Sequence, residues 1–329
     1  MKNLKVLLSF LLAATFAVVL DAADKGNSSK PSRDQLLKAA LDGVKVQKNI
    51  EYAKVQGKPI LLDLFIPADV KGKLPLIVWI HGGGWVEGNK ENCPALLFVK
   101  KGYAVASINY RLAQQAIFPA QIQDCKASIR FLRAKAPEYN IDPDRIGVWG
   151  GSAGGHLVAL MGVSDGVKEL EGDGGNAGVS SRVQAVCDFF GPTDFTTIKD
   201  LRMSDDPSVQ KKLKDFNLTD DNNVVTRLLG GPVDQKKELA EQASPMHYVK
   251  NIKVDKKNFP PFLIMHGEKD PVVPVEQSVD FQDALKAAGL DSILRVYKGK
   301  SHGDLGGDSM KVVEDFFEKN LKKLKTDSK

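Results

Sequence analysis

A serine between small residues is the first feature of this sequence that could carry chemistry. The segment Gly150–Gly154 reads Gly-Gly-Ser-Ala-Gly, with Ser152 at its centre. A serine hydroxyl is a weak nucleophile at neutral pH, so it needs a base within hydrogen-bond reach and an acid that orients the base. Small flanking residues are typical of a serine on a sharp turn between a strand and a helix. We therefore predict that Ser152 is the nucleophile of an acyl-transfer reaction.

The same Gly-x-Ser-x-Gly pattern occurs a second time, around Ser301 in Gly299–Gly303. The surroundings of the two serines differ. Ser152 follows the apolar segment Ile146–Trp149, and a helix-compatible stretch begins directly after it. The segment after Ser301 is rich in glycine and cannot continue as a helix, and no histidine follows beyond its immediate neighbour. The requirement for a strand, a turn and a helix therefore favours Ser152.

A glycine-rich segment upstream could stabilise the negative charge that develops in acyl transfer. His81–Trp85 reads His-Gly-Gly-Gly-Trp and follows an apolar run that ends at Ile80. Backbone N–H groups aimed at the developing oxyanion stabilise it, and glycines allow the backbone to approach. The predicted donors are the N–H groups of Gly83, Gly84 and Ala153. We predict that Trp85 contacts the substrate and that His81 orients the loop.

The base must be one of five histidines, His81, His156, His247, His266 and His302. The chain order expected for this arrangement is serine, acid, histidine. His302 lies just after the last predicted strand, so we predict that it is the base. His156 should point into the packing of the helix after the nucleophile, and His266 should be buried at the end of a strand.

The acid is expected between Ser152 and His302, at the end of a strand. Asp270 follows an apolar strand, and one helix and one strand separate it from His302. Asp194, after the preceding strand, is the rival, and Glu268 is a third choice. We favour Asp270, and we otherwise expect Asp194 to cap the next segment or to line the pocket.

The pattern of apolar residues predicts the elements that position these side chains. Predicted core strands are Pro75–Ile80, Tyr103–Ile108, Arg145–Trp149, Val183–Phe189, Pro261–Met265 and Ile293–Tyr297. Predicted helices are Ala120–Ala136, Ala153–Val163, Val275–Ala288 and Met310–Leu324. Two earlier segments, Lys45–Tyr52 and Pro59–Phe65, alternate in polarity and are predicted antiparallel strands. The alternation of strands and helices predicts an α/β fold with a mostly parallel central sheet and helices on both faces.

The order of these elements predicts one domain over residues 45–325. Residues 196–250 interrupt the alternation with polar and charged sequence. We predict that this insertion forms a small cap or rim over the site. Residues 23–44 are predicted to form a linker and a short helix.

The N-terminus is typical of a signal peptide over residues 1–22. Lys2 and Lys5 precede the uncharged run Val6–Leu20, and small residues follow, so we expect cleavage near Ala22. The run is shorter than the roughly 20 residues of a membrane-spanning helix. We therefore expect a secreted or periplasmic protein without stable membrane insertion, and an uncleaved anchor is the alternative.

The composition excludes several other classes of protein. The chain has 329 residues, 43% of them hydrophobic and 26% charged, which is ordinary for a globular protein. The net charge is +5, and the lysine-rich C-terminus lacks interleaved aromatic residues, so no nucleic-acid partner is expected. Cys93, Cys125 and Cys187 lack the spacing of metal ligands and are too few for a disulfide scaffold. We expect no metal site, and we expect the thiols to be mostly buried. The sequence leaves open whether two of the three form one disulfide.

Four segments together resemble the bacterial carbohydrate-esterase branch of the α/β-hydrolases: His81–Trp85, Gly150–His156, His266–Pro274 and Ser301–Gly303. That branch includes feruloyl- and acetylxylan-esterase-like proteins and is similar to the hormone-sensitive-lipase family. The resemblance covers about residues 45–325. It implies an α/β-hydrolase fold and hydrolysis of esters without a metal or organic cofactor. Lipase relatives usually carry Asp where this chain has Gly151, which favours the carbohydrate-esterase branch.

Two other functions stay open on the sequence alone. The same fold and triad serve prolyl-oligopeptidase-like peptidases and arylformamidases, so amide substrates are an alternative. A non-catalytic binding module would require the loss of a triad member, whereas Ser152, Asp270 and His302 are all present. The expected partner is a small-molecule or polysaccharide-linked ester. The acyl group, the alcohol and the oligomeric state stay open.

Overall fold

The computed structural model describes residues 41–68, 70–197, 223–251 and 258–322. Eight strands in these ranges form one sheet in the order β1-β2-β4-β3-β5-β6-β7-β8. The strands are β1 (Val44–Val55), β2 (Lys58–Pro67), β3 (Leu74–Ile80), β4 (Ala104–Ile108), β5 (Ile141–Gly151), β6 (Ala185–Phe189), β7 (Phe262–Gly267) and β8 (Ser292–Tyr297).

The sheet is antiparallel at its N-terminal edge and parallel elsewhere. Strand β1 pairs antiparallel with β2, and β2 pairs antiparallel with β4. All other neighbouring strands are parallel. Every residue of β3, β4, β6 and β7 is buried, which explains why these strands are continuous apolar runs in the sequence. The predicted α/β fold with a mostly parallel sheet is confirmed.

Helices cover both faces of the sheet. The α-helices in the described ranges are α1 (Ala120–Ala134), α2 (Ala153–Val163), α3 (Lys168–Glu171), α4 (Val224–Leu229), α5 (Lys237–Ala243), α6 (Pro245–Lys250), α7 (Glu276–Ala287) and α8 (Ser309–Phe317). Buried residues of α1, α2 and α7 share one core with one face of the sheet. The 3-10 helix Pro94–Lys101 and α8 pack against the other face.

The boundaries of the predicted elements differ from the structure at a few ends. Strand β5 begins at Ile141 rather than Arg145. The closing helix ends at Phe317 and continues as the π-helical turn Glu318–Lys322. Parallel strands and the last turns of helices lack strong sequence stops, so such ends are hard to predict.

Part of the predicted insertion lies within the described residues. Its described portion contains the three short helices α4–α6, and buried residues of α5 and α6 join the core beside α2. The predicted signal peptide over residues 1–22 and most of the predicted linker lie outside the described residues. Both stay predictions.

The cysteines are buried, and the helices are too short or too polar to cross a membrane in the part of the chain that the structure describes. Cys93, Cys125 and Cys187 are all buried, and each is a free thiol. Among the helices described, none combines the length and apolar character that a membrane crossing requires.

Candidate active site

Ser152 lies on a sharp turn between the end of β5 and the start of α2. Its backbone has φ 57° and ψ −121°, a region that residues with a side chain rarely adopt. Two hydrogen bonds hold this conformation: the Ser152 N–H donates to the Phe189 carbonyl (2.8 Å), and the Ser152 carbonyl accepts from the His156 N–H (2.9 Å). Strained backbone held in this way is common at functional sites.

The glycines around Ser152 are required by close backbone contacts. A Cβ atom added to Gly154 would lie 2.1 Å from the Ile80 carbonyl oxygen, at the end of β3. One added to Gly150 would lie 2.3 Å from the Gly154 carbonyl oxygen. Any side chain at these positions would push α2 away from the sheet. The small residues of the motif therefore allow the helix to begin directly above β3 and β5.

The loop His81–Trp85 lies against this turn. A Cβ atom on Gly82 would lie 2.6 Å from the Gly151 carbonyl oxygen and 3.4 Å from the Ser152 Cβ. Gly83 and Gly84 have φ of 107° and 56°, which glycine adopts without strain. In the described part of the chain, no protein oxygen accepts a hydrogen bond from the N–H groups of Gly83, Gly84 or Ala153. Uncommitted N–H groups beside a nucleophile are what an oxyanion hole needs.

Trp85 is a correction to the sequence analysis. We predicted a substrate contact, but the Trp85 side chain is only 2% exposed and lies in the core. Its indole N–H donates to His156 Nδ1 (3.1 Å), and its ring meets the rings of His156 and Phe195 edge to face. Because the one polar group of the indole has a partner, burial of this side chain carries little penalty. Trp85 therefore anchors the glycine loop from the core side.

His156 and His81 have structural roles, as expected. His156 Nδ1 accepts from Trp85, so the proton is on Nε2, which donates to the Ala243 carbonyl (2.8 Å). The His81 ring stacks on Tyr110 with centroids 4.3 Å apart. Burial lowers the pKa of each histidine to about 4, against the smaller opposing effect of a backbone hydrogen bond. Both side chains are therefore neutral at neutral pH.

Asp270 and His302 are in direct contact. His302 Nδ1 lies 2.6 Å from Asp270 Oδ2. The Asp270 side chain is fully buried, whereas the His302 side chain is 18% exposed. The N–H groups of Val272 and Val273 donate to the other carboxylate oxygen, at 2.8 and 2.9 Å. His302 can therefore be oriented by a fixed carboxylate and still reach a ligand.

The pKa of Asp270 lies well below its usual range. Burial alone would raise this pKa, but the charge of His302 and the hydrogen bonds from His266 and His302 outweigh burial. The carboxylate therefore stays ionised at any pH at which the protein would work.

The two rival acids have other partners. Asp194 Oδ1 accepts from the N–H and hydroxyl of Thr196, at 3.0 and 2.5 Å, and so caps the following turn. Glu268 Oε2 accepts from the Gly299 N–H (2.8 Å) at an exposed position. Within the described residues, neither carboxylate forms a hydrogen bond with His302. The structure thus brings Asp270 to the predicted base, and not Asp194 or Glu268.

Phe190 connects the nucleophile side of the site to the base, and sequence reasoning missed it. Its ring centroid lies 4.5 Å from that of His302. A Cβ atom on Gly151 would lie 3.4 Å from the Phe190 ring. In the described residues, no hydrogen bond joins Ser152 to His302. Catalytic hydrogen bonds of this kind often tighten only in the complex with substrate. The sequence carries no signal that would have separated Phe190 from its buried neighbour Phe189.

The described residues contain no group of three His, Cys, Asp or Glu side chains placed to hold a metal ion. The chemistry that the site can perform with its own groups is nucleophilic attack by a hydroxyl, assisted by an imidazole and its carboxylate.

The two buried neutral histidines predict how stability depends on pH. Between pH 6.5, the ordinary pKa of histidine, and the folded-state value of about 4, the unfolded chain binds these protons and the folded chain does not. Stability should therefore fall as the pH falls through this window. Each histidine should lower the free energy of unfolding by about 1–2 kcal/mol between pH 7 and pH 5. Urea unfolding at a series of pH values measures this dependence. His156→Gln should make it shallower, and an unchanged slope in this variant would contradict the assignment.

Comparisons with known proteins agree with this architecture. The BD-FAE family model matches residues 62–285. One similar solved structure is a truncated form of a carbohydrate esterase from gut microbiota, which is 33% identical to this chain with a TM-score of 0.70. The matched region covers 85% of this chain and 97% of the esterase chain. The bifunctional GH43-CE protein of Bacteroides eggerthii is 34% identical, with a TM-score of 0.69, and covers 83% of this chain and 38% of that chain.

Among curated proteins, esterase LipQ of Mycobacterium tuberculosis is 30% identical over 242 residues, which are 72% of this chain and 52% of LipQ. This chain spans about half the length of the curated relatives that it matches. The family match over most of the described core and the two structural similarities lead to one conclusion: the chain has the α/β-hydrolase fold and belongs to the BD-FAE family.

Proposed function

We propose that this chain is a serine carboxylesterase that hydrolyses short-chain or carbohydrate-linked esters, of acetyl or feruloyl type. Ser152, His302 and Asp270 form its triad, and the N–H groups of Gly83, Gly84 and Ala153 form its oxyanion hole. The 2.6 Å contact between His302 and the buried Asp270 is the observation that supports this proposal most strongly. An imidazole held by a buried carboxylate, near a serine on a strained turn, is the arrangement that acyl transfer requires.

The first step forms an acyl-enzyme. His302 Nε2 takes the proton of the Ser152 hydroxyl while the serine oxygen attacks the ester carbonyl. Asp270 holds the Nδ1–H of His302 and stabilises the imidazolium that forms. The carbonyl oxygen becomes an oxyanion beside the uncommitted N–H groups of the glycine loop and of Ala153. The C–O bond to the alcohol then breaks, and His302 returns the proton to the departing alcohol.

The second step regenerates the enzyme. His302 takes a proton from a water molecule, which attacks the acyl carbonyl. The oxyanion forms again at the same N–H groups and collapses with cleavage of the bond to Ser152. The serine oxygen recovers its proton from His302, and the free acid leaves. Neither step of the proposed mechanism uses a cofactor.

Of the two proposed acyl groups, contacts beside the glycine loop favour the short acetyl group over the bulky feruloyl group. Val224, the first residue of α4, packs on this loop: a Cβ atom on Gly84 would lie 3.0 Å from its Cγ1. A branched side chain here limits the space beside the proposed oxyanion hole. The printed titles of two structural relatives, a carbohydrate esterase and a GH43-CE protein, support a carbohydrate-linked alcohol.

We also propose that the protein acts outside the cytoplasm, in the secreted or periplasmic space. The support is the sequence of residues 1–22, with Lys2 and Lys5 before an uncharged run. Acylated polysaccharide is accessible to a protein in that location.

The chain offers a matched pair of variants that tests the nucleophile. Ser152→Ala should lower kcat for p-nitrophenyl acetate by about a thousandfold or more, because the hydroxyl that forms the acyl-enzyme is gone. Ser301→Ala changes the same residue type in the other Gly-x-Ser-x-Gly sequence and should keep kcat within about twofold of the unmodified protein. Full activity in Ser152→Ala, together with a folded far-UV spectrum, would refute the assignment.

A panel of acyl substrates tests the bond type and the acyl size. We expect p-nitrophenyl acetate to be hydrolysed much faster than an acyl p-nitroanilide, and acetyl or butyryl esters faster than octanoyl esters. Val224→Ala should raise kcat/KM for the octanoyl ester by about tenfold, because the removed methyl groups open the space beside Gly84. Val279→Ala, at an exposed position on α7, is the control and should change nothing. A preference for the anilide would instead support the amidase alternative.

A further inference from the structure

We propose that His266 is a positioning residue for this reaction: a second, buried imidazole that holds Asp270 in the orientation that His302 requires. The inference deepens the proposed function and rests on it. Sequence reasoning treated His266 only as a buried residue at the end of a strand. The contacts around its ring give it a specific task.

Four groups contact the Asp270 carboxylate, two from the backbone and two from histidine side chains. Its Oδ1 accepts from the N–H groups of Val272 and Val273, at 2.8 and 2.9 Å. Its Oδ2 lies 2.6 Å from His302 Nδ1 and 3.2 Å from His266 Nε2. The two imidazoles therefore share one carboxylate oxygen, one from the exposed side and one from the core. The backbone donors fix Oδ1, and His266 completes the restraint on Oδ2.

The neighbours of His266 determine which of its nitrogens carries the proton. Nε2 faces two acceptors, Asp270 Oδ2 and the Val273 carbonyl oxygen at 2.9 Å, so Nε2 must be protonated. Nδ1 lies 2.6 Å from the Ser278 hydroxyl on α7 and must therefore accept a hydrogen bond from it. A donor on a separate helix thus fixes the tautomer that presents an N–H to Asp270.

Among the described residues, few other charged groups lie near His266. The titratable groups that interact with it are Asp270, which also binds His302, and Asp188 on β6. Burial raises the pKa of Asp188 to about 6, against the hydrogen bond from the Gly191 N–H. The Phe190 ring meets His266 edge to face at 6.4 Å and also contacts His302. His266 is completely buried, so it acts on the reaction only through Asp270.

A packing role and a positioning role make different predictions. If His266 only fills space, any uncharged side chain of similar length should support the same activity once the protein folds. If it positions Asp270, activity should depend on an N–H group at the place of Nε2. Among the described residues, loss of that donor would leave Asp270 Oδ2 with His302 as its one side-chain donor and would loosen the orientation of the carboxylate.

The decisive comparison is His266→Gln against His266→Met. The amide nitrogen of Gln occupies the place of Nε2 and keeps a donor, whereas Met has the same length and no donor. We expect kcat for p-nitrophenyl acetate to fall by about 10–100-fold in His266→Met with little change in KM, because a misoriented base affects the chemical step. His266→Gln should keep kcat within about threefold of the unmodified protein.

The pH profile supplies a readout that packing alone would not move. Without the donor from His266, the Asp270 carboxylate should keep more of its negative charge. It should therefore stabilise the protonated form of His302 more strongly. The acid limb of kcat/KM in His266→Met should therefore shift to higher pH, by about half a unit or more. The profile of His266→Gln should match that of the unmodified protein.

A double-mutant cycle shows whether the effect passes through the carboxylate. In an Asp270→Asn background, His266→Met should cost less than about twofold in kcat/KM, since the group it positions is already gone. An undiminished loss in that background would overturn the inference. Equal activity and equal pH profiles for Gln and Met would also overturn it.

Two further variants keep the outcome interpretable. If His266→Met does not fold, Ser278→Ala decides: it removes the donor to Nδ1, and we expect a fall in kcat of about threefold to tenfold. Unchanged kcat in Ser278→Ala would then contradict the positioning role. Ser152→Ala separates this inference from the proposed function: if that variant stays active, the proposed function fails, whereas an inactive Ser152→Ala with a fully active His266→Met refutes only the role of His266.

Discussion

The site depends on the close approach of the first turn of α2 to the end of β3. The Ile80 carbonyl oxygen leaves no room for a side chain at Gly154, and the Gly154 backbone leaves none at Gly150. This contact confines Ser152 to a positive φ and holds it at the carboxyl edge of the sheet. The same edge carries the glycine loop after β3 and the Asp270 segment after β7. This contact therefore holds the predicted nucleophile at the edge to which the sheet topology also brings the predicted oxyanion donors and acid.

A second layer of buried polar contacts holds these groups in orientation. Trp85 ties the glycine loop to His156, which in turn binds the Ala243 carbonyl before α6. His266 ties Asp270 to Ser278 on α7. In each of these two sets of contacts the imidazole donates from one nitrogen and accepts at the other, so both of its nitrogens have hydrogen-bond partners. The residues that do not touch substrate thus link the site to the helices around it.

Much of this arrangement was predictable, and the failures have a common physical reason. The α/β fold, the antiparallel pair β1–β2 and the helix after Ser152 follow from apolar periodicity, and chain order pointed to Asp270 and His302. Trp85 was wrong because the sequence does not reveal on which side of a loop a side chain lies. His266 was recognised as buried, but its contact with Asp270 depends on the turn after β7, in which the Asp270 N–H donates to the Gly267 carbonyl. The contact of Phe190 with His302 joins residues far apart in the sequence. The catalytic roles themselves remain predictions.

The central claim is that Ser152 is a nucleophile activated by its surroundings. The most direct test is reaction of the purified protein with a fluorophosphonate probe, followed by mass spectrometry of the intact protein and of its peptides. We predict one adduct per chain, located on Ser152 and absent from Ser152→Ala. An adduct on Ser301, or no adduct on a correctly folded protein, would contradict the account.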